Sequence, residues 1–185
     1  QNNYQLILTG RRNDRLVALK NELSASYQTA ILTLNFDVQD NEAVQNALAS
    51  LPADWKKIDV LVNNAGLSLG LDPIQRANLA DWEQMIDTNV KGLLYVSKIV
   101  SNWMIENKTG HIINIGSIAG KETYANGNVY CATKHAVDSL NKAMRLDLLT
   151  SGIRVTAIHP GAVETEFSVV RFKGDQQRAD KVYEG

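Results

Sequence analysis

A chain of 185 residues with 44% apolar content and a formal charge of -1 suits one soluble globular domain with a sizeable core. That balance gives no electrostatic case for nucleic acid or an anionic membrane as partner. The single cysteine, Cys131, excludes an internal disulfide and fits a reducing compartment. No apolar run approaches the ~18 residues that span a bilayer, and the opening QNNYQLIL lacks the regions of a signal peptide, so a cytoplasmic location is expected.

In chain order, a nearly continuous apolar run at 4–10, YQLILTG, precedes a helical stretch at about 13–26. The run 30–38, AILTLNFDV, precedes a helix at 40–51, and IDVLVNNAG at 58–66 precedes a long helix at 78–107, where Asn78 followed by Asp81 resembles a capping box. HIINIGS at 111–117, a helix at 127–151 and IRVTAIHPG at 153–161 complete the pattern. Apolar runs ending in Gly, Asp, Asn or Ser suit parallel strands covered on both faces. Strand and helix alternate throughout, which predicts right-handed βαβ units in a doubly wound, Rossmann-like α/β sheet. Without repeats or linkers, residues 1–185 read as a single domain.

In such a sheet the ligand sits beyond the carboxyl ends of the strands. Gly10-Arg11-Arg12 stands at the first strand end, where an NAD-preferring fold carries an acid for the ribose hydroxyl. Arginine forks instead match a 2′-phosphate, although a solvated pair opening a helix explains them equally. Asp37 ends the second run, and Asn63-Asn64-Ala65-Gly66 ends the third, where small residues suit a backbone lying close to a flat ligand. Ser117 closes the fourth run, and Pro160-Gly161 follows the fifth. Tyr130 and Lys134 share one face of a helix, a spacing that a half-buried Tyr beside a snorkelling Lys also produces. Cys131 reads as packing. His111, His135 and His159 read as single hydrogen-bonded residues, and no metal-ligand spacing is present.

NNAG, Asn89, Ser117, Tyr130-x-x-x-Lys134 and Pro160-Gly161 resemble the short-chain dehydrogenase/reductase family in order and spacing, over essentially the whole chain. ILTGRRNDRL, IDTNVKGL and TEFSVVRFKGD resemble its branch of NADP-dependent 3-hydroxy acid dehydrogenases, which oxidise serine, allo-threonine and related small acids. The resemblance implies NADP as cofactor and assigns Tyr130 as general acid/base. A free phenol, with a pKa of about 10, is a poor base at neutral pH. The Lys134 cation and the nicotinamide ring are expected to lower it.

By the same resemblance Lys134 holds the nicotinamide ribose, Ser117 hydrogen-bonds the substrate oxygen, and Asn89 positions a water that relays protons. Arg11 and Arg12 match the 2′-phosphate site, Asp37 and Val38 the adenine contacts, and Asn64 the wall beneath the ribose. Pro160, Gly161, Val163 and Thr165 match the loop on the nicotinamide carboxamide and pyrophosphate. RFKGD at 171–175 matches a substrate-covering segment, so Arg171 or Lys173 is a candidate for a carboxylate, as is a plain basic loop.

One departure from the family concerns the ends. No glycine-rich turn precedes Arg11, and the family continues beyond Gly185, so the expectation is a partial domain lacking the first, central strand and the last strand. A slot one strand wide should then separate the strands at 4–10 and 58–66, and the chain as written should be inactive and marginally folded. A general carbonyl or ketoacyl reductase and a non-catalytic binding or assembly module are the alternative functions. Val96, Ile99, Val100, Trp103, Val137, Leu140, Met144 and Leu148 exceed what one side of a sheet needs, which predicts a homodimer or homotetramer unless both long helices are buried within the monomer.

Overall fold

The structure, a computed structural model, describes residues 4–182; Gln1 and the closing Tyr183, Glu184 and Gly185 lie outside the described residues. Five strands alternate with helices: β1 Leu6–Gly10, β2 Ile31–Asn35, β3 Val60–Asn63, β4 His111–Ile115 and β5 Arg154–Ile158. Each is shorter than its apolar run. Asp37 and Val38, Asn64 to Gly66, Ser117, and Pro160-Gly161 therefore lie past the last ladder pairs, in the connecting loops.

The strands are all parallel and form two sheets, β1–β2 and β3–β4–β5. Leu6 stands opposite Ile31, Val60 opposite His111, and His111 opposite Arg154. β1 and β3 each pair on one side only, and a cleft of about 1480 Å³ is lined by Leu6 to Gly10 and by Val60 to Asn63. Coverage on both faces does not hold at this boundary. Val60 and Val62 are 40% and 53% exposed, because they lie along the open cleft rather than under a helix.

α1 spans Asn13–Ser26 and α2 Asn41–Ala49, the latter capped by the Asp40 carboxylate, which accepts from the amides of Glu42 and Ala43. α3, Leu79–Ile86, is capped by Asn78, which accepts from the Ala80 and Asp81 amides. Only half of the expected capping box forms, because the Asp81 carboxylate pairs with Lys173 at 2.8 Å. The long helix expected over 78–107 is interrupted by a π turn, Asp87–Gly92, before α4, Leu93–Asn107. The wider turn places Thr88 and Asn89 in the interior. α5 spans Asn128–Asp147; α6, Glu166–Arg171, and α7, Gln176–Asp180, follow β5.

The main core gathers Val44 and Leu48 of α2, Val100 and Met104 of α4, and Ile112 and Val155 of the larger sheet. A second cluster, Leu67, Met85, Ala119, Tyr130 and Cys131, lies beneath the strand-end loops. Most residues cited for a subunit contact are consumed here: Val100, Val137 and Leu148 are buried, and Val96, Ile99, Trp103 and Met144 pack on the main core. Leu146 near the end of α5 and Leu149 just after it remain outside, 75% and 70% exposed.

Candidate active site

The helical repeat of α5 sets Tyr130 and Lys134 on one stripe, and both are buried. The Lys134 Nζ lies 6.0 Å from the centre of the Tyr130 ring and donates to the Ile115 carbonyl at 3.0 Å. Ser117, just past β4, caps the short turn Ile118–Gly120 by accepting from the Ala119 amide at 3.1 Å. From the loop after β3, Gly66 closes the group: a Cβ there would lie 3.4 Å from both the Lys134 Nζ and the Asn89 Oδ1. β3, β4, α5 and the π turn thus bring Ser117, Tyr130, Lys134 and Asn89 together.

Asn89 is fixed from three directions. Its Oδ1 accepts from the Leu67 amide at 2.8 Å, and its Nδ2 donates to the Leu67 carbonyl at 2.8 Å and to the Thr133 hydroxyl at 3.0 Å. Both amide protons are thereby committed, so any contact with water falls to its oxygens.

The electrostatics differ from the expectation. Burial raises the Tyr130 phenol above its ordinary value, opposed by contact with the Ser117 side chain and by the Arg171 charge. The Arg171 charge opposes that rise, while the Lys134 ammonium, 6.0 Å from the ring centre, donates to the Ile115 carbonyl. Burial also pulls Lys134 down to about 8, which leaves it mainly cationic at neutral pH.

Arg171 is itself buried. Its Nε donates to the Gly70 carbonyl and one terminal nitrogen to the Tyr124 hydroxyl, each at 3.0 Å, while the guanidinium lies 5.6 to 5.8 Å from the ring centres of Tyr124, Tyr130 and Phe172. Among the described residues no carboxylate pairs with it. Tyr124, Thr133 and the backbone at Gly70 are parts of the site that sequence reasoning missed. It also missed a buried amide chain: Asn63 donates to Ser97 and to Asn114, and Asn114 donates to Asn141 on α5. This chain ties β3, β4, α4 and α5 into one frame behind the reactive side chains.

Arg11, Arg12, Asp37, Val38 and Asn64 all line the cleft, whereas Ser117, Tyr130 and Lys134 do not; Gly66 joins the two groups. Arg11 pairs with Asp37 at 3.3 Å. Arg12 meets Glu166 at 3.3 Å, and Arg15, an unforeseen third cation, forks the same carboxylate at 2.7 and 2.8 Å. The hydrogen bonds from Arg15 hold Glu166 down at about 2. Pro160 accepts from the Ile118 amide at 3.1 Å, nothing lies within 4 Å of a Cβ built on Gly161, Val163 is exposed, and Thr165 caps α6.

A nucleotide with a phosphorylated ribose fits this lining. Three guanidiniums stand at one end, the other end leads by Gly66 to the Lys134 ammonium, and the Thr88 hydroxyl on the wall is buried without a partner among the described residues. Among the described residues no group of His, Cys, Asp and Glu is placed to hold a metal ion, and no helix is long and apolar enough to cross a membrane.

The family model for short chain dehydrogenase matches residues 1–176. The chain is 53% identical over 185 residues to the NADP-dependent 3-hydroxy acid dehydrogenase YdfG of Salmonella typhi, covering all of this chain and 73% of that protein. It is 43% identical over 179 residues to the NADP-dependent 3-hydroxy acid dehydrogenase of Schizosaccharomyces pombe, covering 97% of this chain and 69% of that one. Among solved structures, the closed form of a serine dehydrogenase complexed with NADP+ superposes with a TM-score of 0.91 at 51% identity, covering 98% of this chain and 72% of that chain.

Proposed function

Since the chain belongs to the short-chain dehydrogenase family, we propose that Ser117, Tyr130 and Lys134 carry an alcohol oxidation or carbonyl reduction on a small 3-hydroxy acid such as serine or allo-threonine. The protein is an NADP-dependent oxidoreductase acting on a hydroxy acid. The observation that carries the residue assignment is the convergence of Ser117, buried Tyr130 and buried Lys134 at the strand ends. The cofactor supplies the hydride acceptor, or in reverse the donor, at the carbinol carbon.

The chain's own groups do the rest. Tyr130 takes the alcohol proton in oxidation and returns it in reduction. The Ser117 hydroxyl donates to the substrate oxygen, where charge develops. Lys134 holds the nicotinamide ribose and keeps a positive charge beside the phenol, and Asn89 fixes the Gly66-Leu67 loop at its back. Arg11 and Arg12, with Arg15, meet the 2′-phosphate in exchange for Asp37 and Glu166. Asp37 and Val38 border the adenine, Asn64 the ribose, and Pro160, Gly161, Val163 and Thr165 the carboxamide and pyrophosphate.

Arg171 supplies the substrate's second anchor. Among the described residues no acid pairs with this buried guanidinium, which is costly for a charge, and a 3-hydroxy acid brings a carboxylate close to the Tyr130 hydroxyl. A homodimer or homotetramer in the cytoplasm completes the proposal, supported by the exposed Leu146 and Leu149 and by the single free cysteine.

Two kinetic comparisons on the full-length protein test this reading. NADP should give a higher kcat/KM than NAD, since three arginines and no free acid line the ribose end; equal values would remove the 2′-phosphate assignment. Arg171→Gln should raise the KM for the hydroxy acid by roughly 10- to 10²-fold, the loss of a charge-assisted hydrogen bond of about 1.5–3 kcal/mol. Oxidation of an uncharged secondary alcohol should keep its KM and lose only what the Arg171 charge contributes at the Tyr130 phenol. An equal loss on both substrates would make Arg171 a structural residue.

A further inference from the structure

Behind Ser117 lies a polar group that none of the roles above uses. His159, just past β5, faces two oxygens. Its Nδ1 stands 3.1 Å from the Ser117 carbonyl and its Nε2 3.4 Å from Asp138 Oδ1. A carbonyl oxygen and a carboxylate oxygen can both only accept, so the ring satisfies both only with a proton on each nitrogen, Nδ1 donating to Ser117 and Nε2 facing Asp138 as a charged pair. Asp138 is on α5, one turn beyond Lys134, so Tyr130, Lys134 and Asp138 share one stripe at steps of four.

Asp138 also receives Lys121 at 2.6 Å and Lys142 at 2.8 Å. Lys121 closes the turn that Ser117 opens. The carboxylate therefore grips the Ser117 loop twice, through His159 at its start and through Lys121 at its end. The side chain is only 12% exposed, and hydrogen bonds from the two lysines pull its pKa down to about 2, so it stays ionised throughout the neutral range. Packing agrees with a fixed ring: a Cβ on Gly116 would lie 2.6 Å from His159 Nδ1. Backbone bonds lock the same junction, from the Gly116 amide to Ile158 at 2.7 Å and from the Ile118 amide to Pro160 at 3.1 Å.

We propose that His159 and Asp138 are positioning residues of the reaction: Asp138 orients the His159 ring, and the ring fixes the backbone at Ser117 against Tyr130 and Lys134. The inference rests on the role given to Ser117 above. Its logic is that the hydroxyl must meet developing charge at hydrogen-bond distance, and a displacement of about 1 Å can cost 10²-fold in rate. The helix that carries the acid/base and its lysine also carries, one turn on, the carboxylate that sets the height of the serine.

The test uses the full-length protein with saturating NADP. His159→Leu removes the donor at similar bulk and should lower kcat by about 10- to 10²-fold, with the KM for NADP unchanged. His159→Asn puts an amide Nδ2 near the place of Nδ1 and should recover most of kcat. Asp138→Asn should lower kcat in the wild type and cost less in the His159→Leu background, where only its Lys121 arm remains to be lost. Ser117→Ala calibrates the series. Equal losses in the Leu and Asn variants, an unchanged kcat in His159→Leu, or fully additive losses with Asp138→Asn would overturn the proposal while leaving Ser117→Ala impaired. Normal turnover in Ser117→Ala would remove the reading of Ser117 itself, and this inference with it. Melting curves of every variant separate a change in kcat from a loss of folded protein.

Discussion

Tyr130→Phe in the full-length protein should lower kcat by at least ~10²-fold, the scale of lost general acid/base catalysis, and leave the affinity for NADPH nearly intact. The reasoning begins with packing. Tyr130 is 9% exposed and belongs to the cluster of Leu67, Met85, Ala119 and Cys131, with the Phe167 ring 5.8 Å away. Phenylalanine keeps all of that surface and loses only the hydroxyl. The group lost is the one on which the Ser117 side chain and the Arg171 charge act. A fall in kcat and kcat/KM together marks an interaction made in the transition state. Lys134→Ala is the contrasting case: it leaves the Ile115 carbonyl without its donor and should harm turnover and cofactor binding alike. Stopped-flow hydride transfer and NADPH fluorescence titration measure the two quantities. Near-normal turnover in Tyr130→Phe would reduce the tyrosine to a packing residue.

Gly120→Ala should be the most damaging single methyl in the site. A Cβ at this position would stand 2.5 Å from the Lys134 carbonyl oxygen and 2.8 Å from its carbon. Both atoms belong to the backbone of α5, which cannot turn aside as a side chain can. Either the turn Ile118–Gly120 lifts or α5 shifts, and in both cases Ser117 leaves Tyr130. Overpacking of this kind costs about 1–3 kcal/mol, a fall in Tm of roughly 2–4 °C per kcal/mol for a domain of this size. kcat should fall with it. Gly161→Ala is the control for stability, because nothing lies within 4 Å of its added Cβ, and its stability should stay within about 0.5 kcal/mol of the wild type. A Gly120→Ala protein with unchanged Tm and turnover would contradict the close packing of that turn on α5.

Strand and helix identity is legible in the sequence because the apolar period switches between continuous runs and one-sided stripes. The reactive set is legible because Tyr130 and Lys134 are local to one helix and Ser117 marks a strand end. The strand ends are read too long, since apolar residues such as Phe36 and Val38 continue past the last ladder pair. The π turn at Asp87–Gly92 is hidden because the apolar stripe of 78–107 runs through it without a Gly or Pro before Gly92. Pairs made only by tertiary folding carry no local signal: Arg15 and Glu166 stand 151 positions apart, Asn63 and Asn114 51 apart, and Arg171 and Tyr124 47 apart. The partner of the Lys134 ammonium is hidden for the same reason. Sequence spacing sets the helical face, whereas the direction of the ammonium is decided by a carbonyl on another strand.

The buried amide chain of Asn63, Ser97, Asn114 and Asn141 also bears on how the site tolerates substitution: each member satisfies a neighbour, so replacing one by an apolar residue leaves a polar partner unpaired in the interior, at about 1–3 kcal/mol.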